Sequence, residues 1–409
     1  YHFTDYKNYI FSDMAGYWNN GLTRFNGDIY NIGLYTLFAS FYSFYLAELF
    51  KILTFLNLFN NKLEIALLLQ IVFGTISVFF FHLASTHIIK SKKLCLLATF
   101  FYAFAYPIIY LNAFIMAENL SIPMTIISLG LILAFNKDNY IMFLAGLILA
   151  AGVAARPSTG LVLFPYVLYI VFAEKFSTKS LRNAIVFSLG FVLVTGLVVM
   201  ENSKNSRGEV KSLSGNAGSQ FFIGQCKAQL VHCNPPGYHF EVGDPALLGH
   251  PEWARMNFET THPFHDQKYF FERGLQCIRL NPNIWWDDFV CLKGIFSKTL
   301  FPSMLSARWF EPLIRISNFI ILFMTLSIGF LFFLIRDKRV EIKKTLLITS
   351  IPLLIILTNY IFAEEQRYYF PAYFALYLIF FIILDHIKYY FREAMIYSVL
   401  ALIIMSYIL

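Results

Sequence analysis

Four ionisable side chains are placed where reactive groups stand at a lipid boundary. Asp13, in "FSDMAGYW", precedes Tyr17 by four residues, just ahead of the first long apolar stretch; Glu118 opens the helix-like "AENLSIP"; Arg156 sits in "AARPS" and Arg367 in "AEEQRYYFP". A carboxylate projecting from a structured loop into a cleft accepts a proton from an attacking hydroxyl. A second acid holds a metal or orients the acceptor, and an arginine binds a phosphate leaving group. Together these are the parts that transfer from a lipid phosphate requires. Three also have a plainer reading alone: Asp13 as a solvated loop acid, Glu118 as an acid favoured by a helix dipole, and Arg367 as a partner of Glu364 or an anchor at the headgroups.

The elements that must position these groups are membrane helices. Of 409 residues, 58% are hydrophobic and only 14% charged, which no soluble domain of this length tolerates on its surface. Apolar runs of about spanning length fall near 63 to 89, 94 to 113, 119 to 135, 182 to 200, 312 to 335, 345 to 362, 369 to 384 and 393 to 409, and two shorter runs between 140 and 173 hinge at Arg156-Pro157. Counting both halves of that hairpin gives ten crossings, an all-α polytopic bundle. Alternate connections collect the basic residues: Lys90, Lys92 and Lys93, then Lys137, then Lys175, Lys179 and Arg182, then Arg336 to Lys344, then Lys388 and Arg392. The positive-inside rule makes those connections cytoplasmic. Segment 1–33, the turn at 113–118, the hinge at 156, segment 201–311 and the turn at 363–368 then face the other side together.

Cysteine placement agrees with that orientation. Cys226, Cys233, Cys277 and Cys291 all lie in the long outer segment, whereas Cys95 lies in a membrane helix. An even set outside the cytoplasm fits disulfides, paired here as Cys226 with Cys233 and Cys277 with Cys291, with free buried thiols as the other reading. Residues 34–59 are apolar yet carry Glu48 and Lys51, and parity forbids a simple crossing there. They are expected as an amphipathic pair of juxtamembrane helices in the outer interface, with Tyr and Phe at headgroup depth.

Four units follow: 1–33 as a first extracytoplasmic loop, 34–200 as juxtamembrane helices with the N-terminal bundle, 201–311 as a small extracytoplasmic lobe, and 312–409 as the C-terminal helices. The chain opens at Tyr1 with no basic n-region and no cleavage site, so the natural N-terminus is expected to lie further upstream. A net charge of +7 raises the question of nucleic acid, but no polar segment carries a basic stripe interleaved with aromatics, which excludes that partner. No phosphate-binding loop, dinucleotide fingerprint or nucleophile elbow is present. His262 and His265 have a zinc-like spacing without a second ligand pair. Trp285, Trp286, Asp287 and Asp288 either stack on a sugar or sit at the headgroups.

The motifs in combination resemble a known family. Asp13 to Tyr17 in D-x-x-x-Y form, the acid in "NAFIMAENL", "ARP" at Arg156-Pro157, "SGNAGSQFFIG" and "EEQRYYFPAY" are similar to the GT-C glycosyltransferases, and most to bacterial members of the protein O-mannosyltransferase and lipid A aminoarabinose transferase type. That resemblance implies inverting transfer of a sugar from a polyprenyl-phosphate donor to a glycan, lipid or protein acceptor, at the periplasmic face of a bacterial inner membrane. It implies Asp13 as catalytic base, Glu118 as the acceptor-associated or metal-associated acid, and Arg367 with Arg156 and Tyr368 as the donor-phosphate site. A divalent metal ion held by Asp13 and Glu118 is the implied cofactor. Many relatives carry two adjacent acids in the first loop, whereas here Ser12 precedes Asp13.

Two other classes compete. A lipid-linked substrate transporter or flippase would want ionisable or helix-breaking features near the bilayer midplane and an internal repeat, and only the hinge at Arg156-Pro157 favours it. An O-antigen polymerase or ligase would depend on arginines and histidines of the outer segment, His262 and His265 among them.

Overall fold

The computed structural model describes residues 10, 12–28, 39–173, 176–225, 266–280, 341–361 and 369–386, with parts of 320–329. Every regular element among the described residues is helical: α1 (Ser12–Phe25), α2 (Ser40–Phe55), α3 (Lys62–Ile88), α4 (Lys92–Ala103), α5 (Tyr106–Leu111), α6 (Glu118–Phe135), α7 (Asn139–Ala155), α8 (Leu163–Ala173), α9 (Thr178–Asn205), α10 (Ala217–Gln225), α11 (Gln267–Leu280), α12 (Ile342–Ile361) and α13 (Phe370–His386). Short 3-10 turns at Phe59–Asn61 and Pro157–Val162 lead into α3 and α8.

Four helical stretches in this set are long and apolar enough to cross a membrane: Phe59–Ile88, Lys92–Leu111, Glu118–Phe135 and Thr178–Asn205. Polar side chains cap the starts of α7 and α9. The Asp138 carboxylate accepts from the backbone N–H of Tyr140 at 2.9 Å and of Ile141 at 3.2 Å to start α7, and Ser177 Oγ accepts from Ser180 N at 3.1 Å to start α9. Helix α6 is the innermost of the four, with 83% of its most apolar window buried against 22% for the stretch containing α3 and 28% for α9. It packs on α3, α7 and α13. The exposed side chains of α3 and α9, such as Leu68, Ile71, Phe79, Leu189 and Val192, are apolar, as a lipid-facing flank requires. Buried polar groups join the helices inside: Ser128 Oγ donates to Ala145 O at 3.0 Å and Tyr166 Oη to Thr125 O at 2.9 Å.

The bundle has two chemically different ends. At one, Lys90 N donates to the Asp385 carboxylate at 2.9 Å and Asn183 Nδ2 to Asn136 O at 2.5 Å, so the connections carrying Lys90 to Lys93, Lys137 and Lys179 sit together. At the other, Arg24 pairs with Glu201 at 2.7 Å, Ser40 Oγ donates to Asn202 Oδ1 at 2.5 Å and Gln225 Nε2 to Ile361 O at 2.6 Å. These contacts bring α1, α2, the end of α9, α10 and the end of α12 to the same side as the start of α6.

One expectation is corrected here. Residues 12–25, expected within a loop, form α1, because Met14, Tyr17 and Trp18 recur on one face and bury against α2. Within 34–59 the described residues form α2, which packs chiefly on α1. Tyr42 and Phe50 lie fully buried, edge-on to Tyr17 and Trp18 with ring centroids 5.0 Å apart in each pair.

Candidate active site

The site begins with a proline. A residue preceding proline is pushed out of the helical region, and Arg156, before Pro157, adopts φ −141° and ψ 93° and ends α7. That turn aims the guanidinium sideways at the neighbouring helix. Thr159 then closes it, its Oγ1 donating to Arg156 O at 2.8 Å while its hydroxyl lies 3.2 Å from that of Ser121 on α6. Glu118 occupies the first turn of α6, where the helix dipole favours an acid. Its side chain is 0% exposed, and Arg156 Nη1 reaches its Oε1 at 2.5 Å. Two groups expected at one boundary are therefore direct partners.

Around this pair the turn that leads into α6 is tied down by amides. Asn119 Nδ2 donates to Leu111 O at 3.0 Å and to Phe114 O at 2.7 Å, and Gln70 Nε2, from inside α3, donates to Phe114 O at 3.1 Å. The hydroxyl of Tyr42 donates to Gln70 Oε1 and also meets the backbone of Met116. Tyr42 thus links α2 to α3 and to the head of α6. Burial, with Tyr45, Tyr17 and Glu118 close by, holds its phenol well above the ordinary tyrosine range, so it stays protonated as a donor. Removing that hydroxyl in Tyr42→Phe strands a buried amide oxygen. A loss of about 1–3 kcal/mol is expected in an unfolding titration with SDS in mixed micelles, with little loss from Tyr140→Phe, whose ring is 90% exposed.

Asp13 lies one turn before Tyr17 on the same face of α1 and is half-buried. Tyr17 packs on Tyr42, which bonds Gln70, and Gln70 and Asn119 both bond Phe114 O at the head of α6, so α1 lies at the end of the bundle where Glu118 and Arg156 meet. Comparison with protein-family models, with characterised proteins and with solved structures finds no match.

The geometry bears on two of the expected roles. Glu118 does not fit a metal ligand, since a guanidinium already occupies its Oε1 and a cation brought there would meet a fixed positive charge. Among the described residues no group of three His, Cys, Asp or Glu side chains comes together. Arg156 gives Nη1 to Glu118, so the pair braces α6 against α7. Arg367 and Tyr368, with Asp5, Glu364, Glu365, His262, His265 and the Trp285 to Asp288 run, lie outside the described residues, although Tyr369 and Phe370 at the start of α13 are buried beside them in sequence.

Cys277, on α11, is disulfide-bonded and Cys95 is free and buried. Cys226, Cys233 and Cys291 lie outside the described residues. The motif "SGNAGSQFFIG" forms the start and body of α10. Ser219 Oγ donates to Asn216 O at 2.9 Å, and Phe222 packs on Phe270 of α11 with centroids 5.6 Å apart. Sequence reasoning missed Tyr42, Gln70 and the Arg24 to Glu201 pair. Of these, Gln70 had a visible signal, as a lone amide within the apolar run of a spanning helix.

Proposed function

We propose that this chain is an integral membrane glycosyltransferase of the GT-C type, with ten crossings, acting at the extracytoplasmic face of a bacterial inner membrane. The observation that carries this reading is the convergence of α1, bearing Asp13, with the Glu118 and Arg156 brace at the end of the bundle away from the lysine-rich connections. A half-buried carboxylate at a lipid boundary suits a base that acts on a hydroxyl. In the proposed step Asp13 takes the acceptor proton and the acceptor oxygen bonds to the anomeric carbon from the side opposite the phosphate. The bond from that carbon to the phosphate oxygen breaks, and its electron pair leaves with the polyprenyl phosphate. Arg367 receives the charge that develops on the phosphate. Glu118 and Arg156 act beneath this step by fixing the head of α6, against which Tyr42 seats α1.

The test is Asp13→Asn, assayed by mass spectrometry of membrane glycolipids and exported proteins in cells carrying the parental chain, the variant or neither. Loss of the glycosylated product by about 10²-fold or more is expected, with an unchanged elution profile in detergent. Product at the parental level from the variant removes Asp13 as base. No product that depends on the parental chain removes the whole reading.

A further inference from the structure

The corner between α2 and α3 presents an apolar prow. Phe55 is 86% exposed, Ile52 57%, Leu56 52% and Leu58 41%, all within seven residues. Such a cluster in water is unfavourable by the area of hydrocarbon it exposes, and an exposed contiguous apolar patch marks an interaction surface. The corner is also preformed. Leu56 N donates to Ile52 O at 3.0 Å, Asn57 N to Thr54 O at 3.1 Å and Leu58 N to Leu53 O at 2.7 Å, and Asn57 takes the left-handed conformation, φ 58°, that asparagine tolerates at a helix end.

What covers this prow is decided by its surroundings. It leads directly into the spanning stretch Phe59–Ile88, and its apolar surface is continuous along the chain with the exposed flank of α3 at Leu68, Ile71 and Phe79. Polar residues rim it: Asn57, Asn60 and Asn61 are exposed, and Lys62 Nζ lies 4.1 Å over the Phe59 ring. Lys51 is neutralised by Glu48 at 2.7 Å, so the rim carries no strong charge of one sign. Apolar residues at a spanning helix's entry, ringed by amides and a lysine over an aromatic ring, match the layering of a headgroup region above acyl chains.

We infer that residues 52–58 are a membrane wedge that inserts into the leaflet at the entry of α3. The wedge takes zwitterionic lipid as readily as anionic lipid, given its balanced rim. Its buried side carries α1, through Trp18 and Phe25 packed on Phe50, so the depth of the wedge sets the height of Asp13 relative to the headgroups. The insertion itself stands whether or not Asp13 is a base; only the consequence for Asp13 rests on the function proposed above.

The experiment places the full chain, as Phe55→Trp, in nanodiscs of phosphatidylcholine brominated either just below the headgroup or near the chain end. The parental chain's tryptophan emission is subtracted. The added tryptophan is expected to lose at least about half its emission to the shallow bromines and less to the deep ones, as a depth of about 5–10 Å requires. Adding phosphatidylglycerol should leave that ratio unchanged. A red-shifted, unquenched signal would put the corner in water, and a blue-shifted, unquenched one would put protein over it, a second copy included; either overturns the inference. Leu56→Trp, read the same way, serves if Phe55→Trp does not fold.

Discussion

Glu118→Gln is expected to destabilise the protein by about 3–5 kcal/mol, because it leaves the Arg156 guanidinium at the α6 and α7 junction without its counter-charge. The carboxylate is fully buried and the guanidinium nearly so, with side-chain exposures of 0% and 12% and a separation of 2.5 Å. Charges at that depth are dear to desolvate, and only their mutual attraction with hydrogen bonding offsets the cost. Arg156→Met should be as harmful for the mirrored reason, since it strands a carboxylate inside α6. The combined variant should lose clearly less than the two single losses added together, since neither charge then remains. The measurement is a double-variant cycle by SDS unfolding in mixed micelles. Strict additivity would mean that the two side chains do not act on one another. Glu118→Asp gives a further check: its shorter arm cannot close the same contact without moving the start of α6, so partial loss is expected where retention of parental stability would contradict the brace.

How far this arrangement was legible in the sequence differs from one element to the next. The apolar run at 63 to 89 returns as α3 and that at 119 to 135 as α6, because a span needs uninterrupted hydrocarbon and the ends are marked by polar residues. The hinge at Arg156-Pro157 returns as well, since proline acts locally on the residue before it. Helix α1 was hidden. Its sequence holds Gly16, Gly21 and paired asparagines, weak formers whose helicity comes from packing Met14, Tyr17 and Trp18 on α2, and packing is not a local signal. The partnership of Glu118 with Arg156 was equally hidden. Topology brings both to one boundary, but 38 residues and two helices separate them, and no spacing rule says which charge meets which. The same holds for Tyr42 and Gln70. Parity and amphipathicity put Tyr42 at the membrane surface, where tyrosine is common, and only its contact with Tyr17 reveals it as a buried link.

Gly146→Ala should separate two helices, whereas Gly196→Ala, on one of the same helices, should leave them in place. At Gly146 a Cβ would overlap the carbonyl oxygen of Phe187 and stand 3.1 Å from the backbone nitrogen of Phe191; at Gly190 it would overlap the carbonyl oxygen of Phe143. The obstacles are backbone atoms, which cannot rotate aside, so α7 and α9 must move apart along their whole contact. A cost at the upper part of the 1–3 kcal/mol typical of overpacking, roughly 3 kcal/mol, is expected for Gly146→Ala. At Gly196 nothing lies within 4 Å of the added carbon, and alanine's better helix propensity gives a gain of up to about 1 kcal/mol. Opposite signs from the same substitution in one bundle exclude a general intolerance of alanine. The displacement also has a direction: Arg156 ends α7 ten residues, about 15 Å, beyond Gly146, so a tilt of α7 is passed to the guanidinium that reaches Glu118. In Gly146→Ala, therefore, Glu118→Gln should cost less than it does in the parental chain. If Glu118→Gln costs the same in both backgrounds, the α7 and α9 crossing does not position Arg156, and the brace depends on the proline turn and Thr159 alone.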